Sequence, residues 1–356
     1  MEVDARYVDI VRKYWITDNL PSWTAIREPL TWQVFQHSML LPNGKVRDVE
    51  YDDKKSDKTR VIYLGHFLNI WGHCITDNLK KLWFLKTPEG KEMLAKGYRL
   101  VCTLHKGGEL SPNFRELLTN YLQIDAAKIQ IVITETLFDE IVIPQNSLTD
   151  EHRYYIEFKE TIDQIRALIP MTVGGSTKVY FSRSRWKNGR DYGEVLVENV
   201  FKKLGYVIYY PEELTLDEQL KILKNCASFA ATEGSTSHNV MFCQDGVECI
   251  VIRKAQTLNG YQFSSMAMRN CKCVYVDAHL SLFNIFDNSY GPFFLYVNDN
   301  LVAMAKDRGC EIKKTFPRII FLQYLMKCLW LSIRFRQRII MIGDASFYKT
   351  RLCQDF

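Results

Sequence analysis

Among its ten cysteines the chain has no Cys-x-x-Cys pair. The nearest approach, Cys271-Lys-Cys273, has a spacing that suits neither a redox turn nor a zinc knuckle, so the cysteines read as reduced thiols. No Asn-x-Ser/Thr sequon occurs, and the opening MEVDARYVDIVRKYWITDNLPSW mixes acids, bases and apolar residues without the apolar stretch of a signal peptide. Both absences lead to an expectation of cytoplasmic residence. There is no Asp-x-Asp to chelate a nucleotide-bound divalent ion, no His-Glu-x-x-His and no Gly-x4-Gly-Lys, so neither a metal nor another cofactor is expected. A net charge of only +5 over 356 residues, with Lys and Arg spread among acids except near the C-terminus, argues against nucleic acid as a partner.

What is present is an ordinary globular composition, 47% hydrophobic and 24% charged, which excludes disorder. The length favours two domains and a tail. Residues 22–64 read as strands and loops ending in RVIYL, and the apolar run from Gly65 to Leu85 reads as one buried helix. Strand and helix candidates then alternate to about residue 150. A charged helix over 151–169 ends at Pro170, and strand-helix-strand units resume at KVYFSR (178–183). The reading is an α/β protein with a domain at 1–150, a Rossmann-like parallel domain at 151–310, and a tail at 311–356. The tail segment FPRIIFLQYLMKCLWLSIRFRQRIIMI is interrupted by Lys327, Arg334, Arg336 and Arg338, too often for a membrane span. It is expected either as an amphipathic helix at a membrane surface or as a packed terminal helix.

Three places could carry chemistry. Asn69, His73 and Asp77 are spaced by four, so on a helix they share one stripe, and Asp77 could orient the His73 ring; a satisfied core histidine is the plainer explanation of spacing alone. In TEGSTSHNVMF (232–242), Gly234 would let the chain turn at a strand end, and Ser235 or Thr236 could cap a helix whose first N–H groups bind phosphate. Ordinary capping explains the same residues. The basic loop Arg183, Arg185, Lys187 and Arg190 follows a strand; most of these charges are expected to be solvated, and Arg183, nearest the strand end, is the one that could neutralise a diphosphate.

Together the segments resemble glycosyltransferase family 61, the group of bacterial capsular-polysaccharide enzymes, plant xylan-decorating transferases and an animal O-mannose glycan enzyme. NIWGHCITDNLKKLWFL is similar to the family's aromatic-rich stretch with a His, an acid four residues on and a Leu-rich helix, with His73 and Asp77 at those positions. KVYFSR with Arg183, LTLDEQ with Glu218 and Gln219, and EGSTSHNVMF with Gly234, Asn239 and Phe242 follow in the family's order. The resemblance covers roughly residues 60–253, and one departure is Glu233-Gly234-Ser235 where many members have His-Gly-Ala. It implies a GT-B-like fold, two Rossmann-like domains facing a central cleft, and an inverting, metal-independent transfer of a sugar from a nucleotide donor, UDP first among them. The acceptor would be a glycan or lipid-linked glycan, as in cell-surface polysaccharide synthesis.

On that resemblance the base is His73 or Asp77, taken as a unit, with Glu233 as rival. Arg183, Gly234, Ser235, Thr236, Ser237, His238, Asn239, Glu218 and Gln219 are donor-side candidates, Glu218 and Gln219 equally well facing water. Asn69 and Trp71 are acceptor-side candidates. The competing readings are a sugar-nucleotide epimerase on the same fold and a non-catalytic nucleotide-sugar or glycan-binding protein, which the fate of the nucleotide in the products separates.

Overall fold

A computed structural model describes Glu2–Val3, Val8–Ile16 and Ile26–Arg27, then residues 56–342 except 106–107, 134–135, 150–152, 173–176, 187–189, 257 and 281–290. Side chains are described within 59–334, outside those gaps and position 137. The chain forms two compact units, Met1–Pro170 and Met171–Phe356. The division lies at Pro170 rather than 150 because the helix Ile156–Ala167 belongs to the first unit. Its Phe158, Ile162 and Ile165 are fully buried, and Gln164 donates to the Tyr121 carbonyl at 3.2 Å.

The first unit runs β1 (Glu2–Val3), β2 (Val8–Ile16), β3 (Ile26–Arg27), β4 (Ser56–Phe67), α1 (Trp71–Ile75), α2 (Pro88–Ala95), β5 (Arg99–Leu104), α3 (Pro112–Glu116), β6 (Ile129–Ile131), β7 (Thr136–Pro144), β8 (Tyr154–Tyr155) and α4 (Ile156–Ala167). Its six-stranded sheet has the order β3-β2-β7-β4-β5-β6. β7, β4, β5 and β6 are mutually parallel, and β2 runs antiparallel to β7 and β3, so the parallel part carries an antiparallel edge. Val61, Ile62, Tyr63 and Leu64 of β4 are all buried, as the continuous apolar run of a strand covered on both faces requires.

The single helix expected from Gly65 to Leu85 does not form. Gly65, at φ 119°, lies within a register shift between Tyr63 and His66, so it is a bulge in a strand that continues to Phe67. Beyond it come α1 and two short 3₁₀ turns, Asp77–Leu79 and Leu82–Lys86. Side chains interrupt the helix by bonding the backbone. The Thr76 hydroxyl donates to the Gly72 carbonyl at 2.8 Å. The Asn78 amide reaches back to accept from the Leu68 N–H at 3.1 Å and donate to its carbonyl at 3.0 Å.

The second unit holds β9 (Lys178–Phe181), β10 (Asp191–Tyr192), α5 (Glu194–Lys203), β11 (Tyr206–Tyr209), α6 (Leu216–Asn225), β12 (Ser228–Thr232), β13 (Glu248–Arg253), α7 (Gly260–Met268), β14 (Lys272–Asp277), β15 (Phe293–Phe294), α8 (Asp299–Asp307) and α9 (Arg318–Ile342). Five strands make one parallel sheet in the order β11-β9-β12-β13-β14. In chain order this is 2-1-3-4-5, the doubly wound arrangement whose winding reverses between the first and third strands. Phe229, Ala230, Ile250 and Val251 of the central strands are fully buried. β10 pairs with β15 off this sheet, and between β10 and α5 stands Gly193 at φ 88°, where a Cβ would lie 2.0 Å from the Leu295 carbonyl oxygen. Only glycine fits there, and it brings Asp191 and Glu194 around one tight corner.

Candidate functional site

In the first unit the polar residues gather where β4 ends. Asp77 is almost wholly buried, with one carboxylate oxygen 2.5 Å from His73 Nδ1 and the other 2.7 Å from the buried Lys80 ammonium. Burial alone would raise its pKa. The Lys80 charge and then the His73 contact outweigh that and hold the carboxyl well below the usual carboxylate range. Asp77 is therefore a fixed anion and a poor proton acceptor. His73 turns Nδ1 toward it, so Nε2 lies on the far side of a ring whose side chain is 38% exposed. The spacing of four brought the pair together even though the helix breaks at Thr76.

Asn69, an acceptor-side candidate, is engaged in scaffolding: its amide donates to the Glu109 carbonyl and accepts from the Ser111 N–H, both at 2.8 Å. Trp71 opens α1 and is half-buried. Lys81, buried, donates to the Pro144 carbonyl, and Trp83 donates to the Gln145 carbonyl at 2.9 Å, which ties this turn to the end of β7. Sequence reasoning passed over His66 and His105, edge-to-face at 5.9 Å beside the same strand ends. Burial, then the neighbouring His105, pushes His66 down to about 4.

In the second unit Arg183 follows β9 and Glu233-Gly234 follow β12, so the two expected donor segments flank the reversal point, where open parallel sheets bind ligands beyond their strand ends. A largely buried charge cluster lies there, with Arg183 partly exposed. Asp191 sits between Lys254 Nζ, 3.4 Å from Oδ1, and Arg183 Nη2, 3.8 Å from Oδ2. Arg183 also lies over the Trp186 ring at 5.1 Å, and Lys254 over Phe293 at 4.3 Å. Lys254 was missed although it directly follows a parallel strand, the position that marked Arg183. Burial lowers its pKa, and Asp191 partly offsets this.

Glu194 closes the floor of this site. One of its oxygens accepts from Tyr180 Oη at 3.0 Å, the Arg183 N–H at 3.2 Å and Thr232 Oγ1 at 3.4 Å, joining the ends of β9 and β12. Burial first, then the charge of Asp191, pushes its pKa up to about 7. An acid raised on folding holds a proton that the unfolded chain has already released. Stability is therefore predicted to fall as pH rises from the ordinary glutamate range through about 7. Urea titrations across that window should show the fall in wild type and a flatter profile in Glu194→Gln.

The turn after β12 differs from the expected helix start. Residues Ser237–Phe242 form a short 3₁₀ helix without a side-chain cap. Several N–H groups are used within it: Gly234 donates to Ser237 Oγ at 3.1 Å, and Ser237 and His238 donate to the Gly234 carbonyl at 3.0 and 3.3 Å. The Ser235 and Thr236 N–H groups have no partner among the described residues. Gly234, at φ 124°, and Ser235 are half-buried, whereas Thr236, Ser237, His238 and Asn239 are buried. Ser237 and His238 contact the buried Gln262 at 2.6 and 2.9 Å, and Asn239 donates to the Thr236 carbonyl at 2.9 Å. Of this group, Gly234 and Ser235 keep open surface, and the rest brace them.

Glu233, the rival base, is 5% exposed and accepts from the Asn259 N–H at 3.1 Å. Burial raises its pKa against the lowering effect of that bond and of Arg253 and Lys254. Arg185 pairs with Glu213 at 2.9 Å, and Lys187 lies outside the described residues. Glu218 completes a capping box with Thr215, and the buried Gln219 donates to the carbonyls of Pro211 and Leu214 at 2.9 and 3.2 Å. Glu218→Ala should thus lower Tm by a few degrees in a thermal melt and leave nucleotide affinity unchanged; weakened nucleotide binding would instead place it against the ribose.

Among the described residues no group of three or more His, Cys, Asp or Glu is arranged to hold a metal ion, and no helix is long and apolar enough to cross a membrane. A search of curated proteins finds no significant match. Among solved structures, the chain is similar to the dodecameric iron-containing heptosyltransferase TibC in complex with ADP-D-beta-D-heptose, at 12% identity and a TM-score of 0.34, over 83% of this chain and 78% of that one. That likeness is too distant to carry fold detail, iron or substrate across. The family profile described as Glycosyltransferase 61 matches residues 71–251, half of the chain. The matched span runs from Trp71 beside His73 to the middle of β13 and includes both strand ends at the reversal point, and the protein belongs to glycosyltransferase family 61.

Proposed function

We propose that this glycosyltransferase is inverting and metal-independent, with a GT-B-like division of labour in which the first unit serves the acceptor and the second the nucleotide sugar. The observation that carries the proposal is the Arg183–Asp191–Lys254 cluster, with the Asp191 and Lys254 side chains buried and Arg183 partly exposed, at the reversal point of a 2-1-3-4-5 parallel sheet. Two cations held there by one carboxylate supply the charge that a departing diphosphate needs, a task otherwise given to a divalent ion. The Ser235 N–H, on the part of this turn that keeps open surface, adds a donor on the same edge.

In the transfer, an acceptor hydroxyl oxygen attacks the anomeric carbon on the face opposite the leaving group. Its proton passes to His73 Nε2, the bond from that carbon to the diphosphate oxygen breaks, and the nucleoside diphosphate leaves with the bonding pair. Asp77 orients the ring and stabilises the imidazolium that results. The low proton affinity of Asp77 and the greater exposure of the His73 side chain, 38% against 5% for Glu233, favour His73 as the base. The acceptor is a glycan or lipid-linked glycan of the cell surface, and UDP is the first nucleotide to test.

Incubating the protein with nucleotide sugars and glycan acceptors in excess chelator, then following products by proton NMR, tests this reading. Release of nucleoside diphosphate with inverted configuration at the new linkage is expected. An altered sugar still attached to its nucleotide would identify an epimerase, and intact donor with no product would identify a binding protein.

A further inference from the structure

The 25-residue helix α9 has two apolar faces, and among the described residues only one of them is packed. Tyr324, Cys328 and Leu331 are buried on the inner face, where Tyr324 and Cys328 pack with Phe294 of β15 and half-buried Tyr192 of β10. On the other side Ile319, Leu322, Met326, Leu329, Trp330 and Ile333 are 47–77% exposed. At 3.6 residues per turn these positions fall within an arc of roughly 100° that runs along the helix opposite the packed face. Scattered apolar residues on a surface need no explanation, but a continuous stripe of six large ones does.

The charges around the stripe identify its partner. No Asp or Glu occurs in α9, and its charged residues are Arg318, Lys327, Arg334, Arg336 and Arg338. By the helical repeat, positions 327, 334 and 338 lie along one margin of the stripe and 318 and 336 along the other. Lys327 and Arg334 both lie over the Trp330 ring, at 4.7 and 5.1 Å, so two cations rest against the indole at the stripe's edge. An apolar stripe bordered by cations, with an aromatic ring at the boundary, matches a surface that is apolar below and anionic above. A second copy of α9 fits less well, because apposed stripes would bring like charges together along both margins.

We propose that the outer face of α9 docks the enzyme on an anionic lipid surface, lying in the headgroup plane without crossing it. The packed face of α9 reaches toward the donor side: Tyr192 lies against Tyr324 at 6.0 Å between ring centres, and its neighbour Asp191 pairs with Lys254 and Arg183. Lipid docking by α9 does not depend on the reaction proposed above.

Flotation of the full chain with vesicles of phosphatidylcholine alone, and of phosphatidylcholine with phosphatidylglycerol, tests it. The protein should float with the anionic vesicles, largely stay behind with the neutral ones, and come off as salt is raised. The triple variant L322E/M326E/L329E, altered only at exposed positions, should lose flotation while keeping the wild-type Tm. No binding to anionic vesicles, equal binding to both kinds, or undiminished binding by the variant would overturn the proposal. So would a concentration-dependent dimer, abolished by the same substitutions, that does not float.

Discussion

His73→Ala is expected to lower kcat by about 10²–10⁴, the range that a positioned general base contributes, with little change in donor affinity or Tm. The side chain is more than one third exposed, and removing it leaves the Asp77–Lys80 pair in place, so the fold has little to lose. Asp77→Asn should behave differently. It takes the carboxylate away from both the imidazole and the buried Lys80 ammonium, so kcat and Tm should fall together. The stability loss should be about 3–5 kcal/mol, as when one member of a buried pair is removed. Glu233→Gln is the control, because its carboxylate is tied to the Asn259 N–H, and activity should persist. Steady-state kinetics with thermal melts of the three variants check this; wild-type kcat in His73→Ala would remove His73 from the base role.

The second large effect concerns the cations at the reversal point. Arg183→Ala should weaken nucleoside diphosphate binding about tenfold to a hundredfold, the worth of a lost charged contact, with a small change in stability. Arg183→Lys should recover only part of this, since a single ammonium cannot offer two parallel donors. Lys254→Met removes the nearer cation from buried Asp191, so it should cost about 3–5 kcal/mol in stability as well as nucleotide affinity. Adding Asp191→Asn to Lys254→Met should restore much of the stability and none of the affinity. Calorimetric titration of UDP beside urea unfolding separates the two; recovery of UDP affinity in the double variant would reduce Lys254 to a structural partner of Asp191.

Much of the second unit was legible because its strands are short apolar runs separated by well-marked helices. α6 begins at the capping box of Thr215 and Glu218, and Arg183 and Gly234 stand at strand ends that the sequence alone marks. The buried charges were not legible. Asp191, Glu194 and Lys254 come from three separate elements, and nothing in their local sequence shows that the corner at Gly193 folds the first two toward the third. In the first unit the His73–Asp77 spacing gave a true contact within an untrue helix. Apolar residues continue through the break at Thr76, while the bonds that make the break, Thr76 to Gly72 and Asn78 to Leu68, belong to polar side chains that a periodicity reading treats as neutral. The bulge at Gly65 escaped notice in the same way, since a lone glycine fits a helix start as well as a kinked strand.

The central claim is that the second unit binds a nucleotide-sugar donor through Arg183 and Lys254 without a metal ion. The most direct measurement is the thermal midpoint of the protein in excess chelator against a panel of nucleoside diphosphates, because a ligand that binds the native state raises it. A rise with one nucleoside diphosphate is expected in wild type, largely lost in Arg183→Ala. No rise with any of them, or a rise that appears only when a divalent cation is restored, would contradict it.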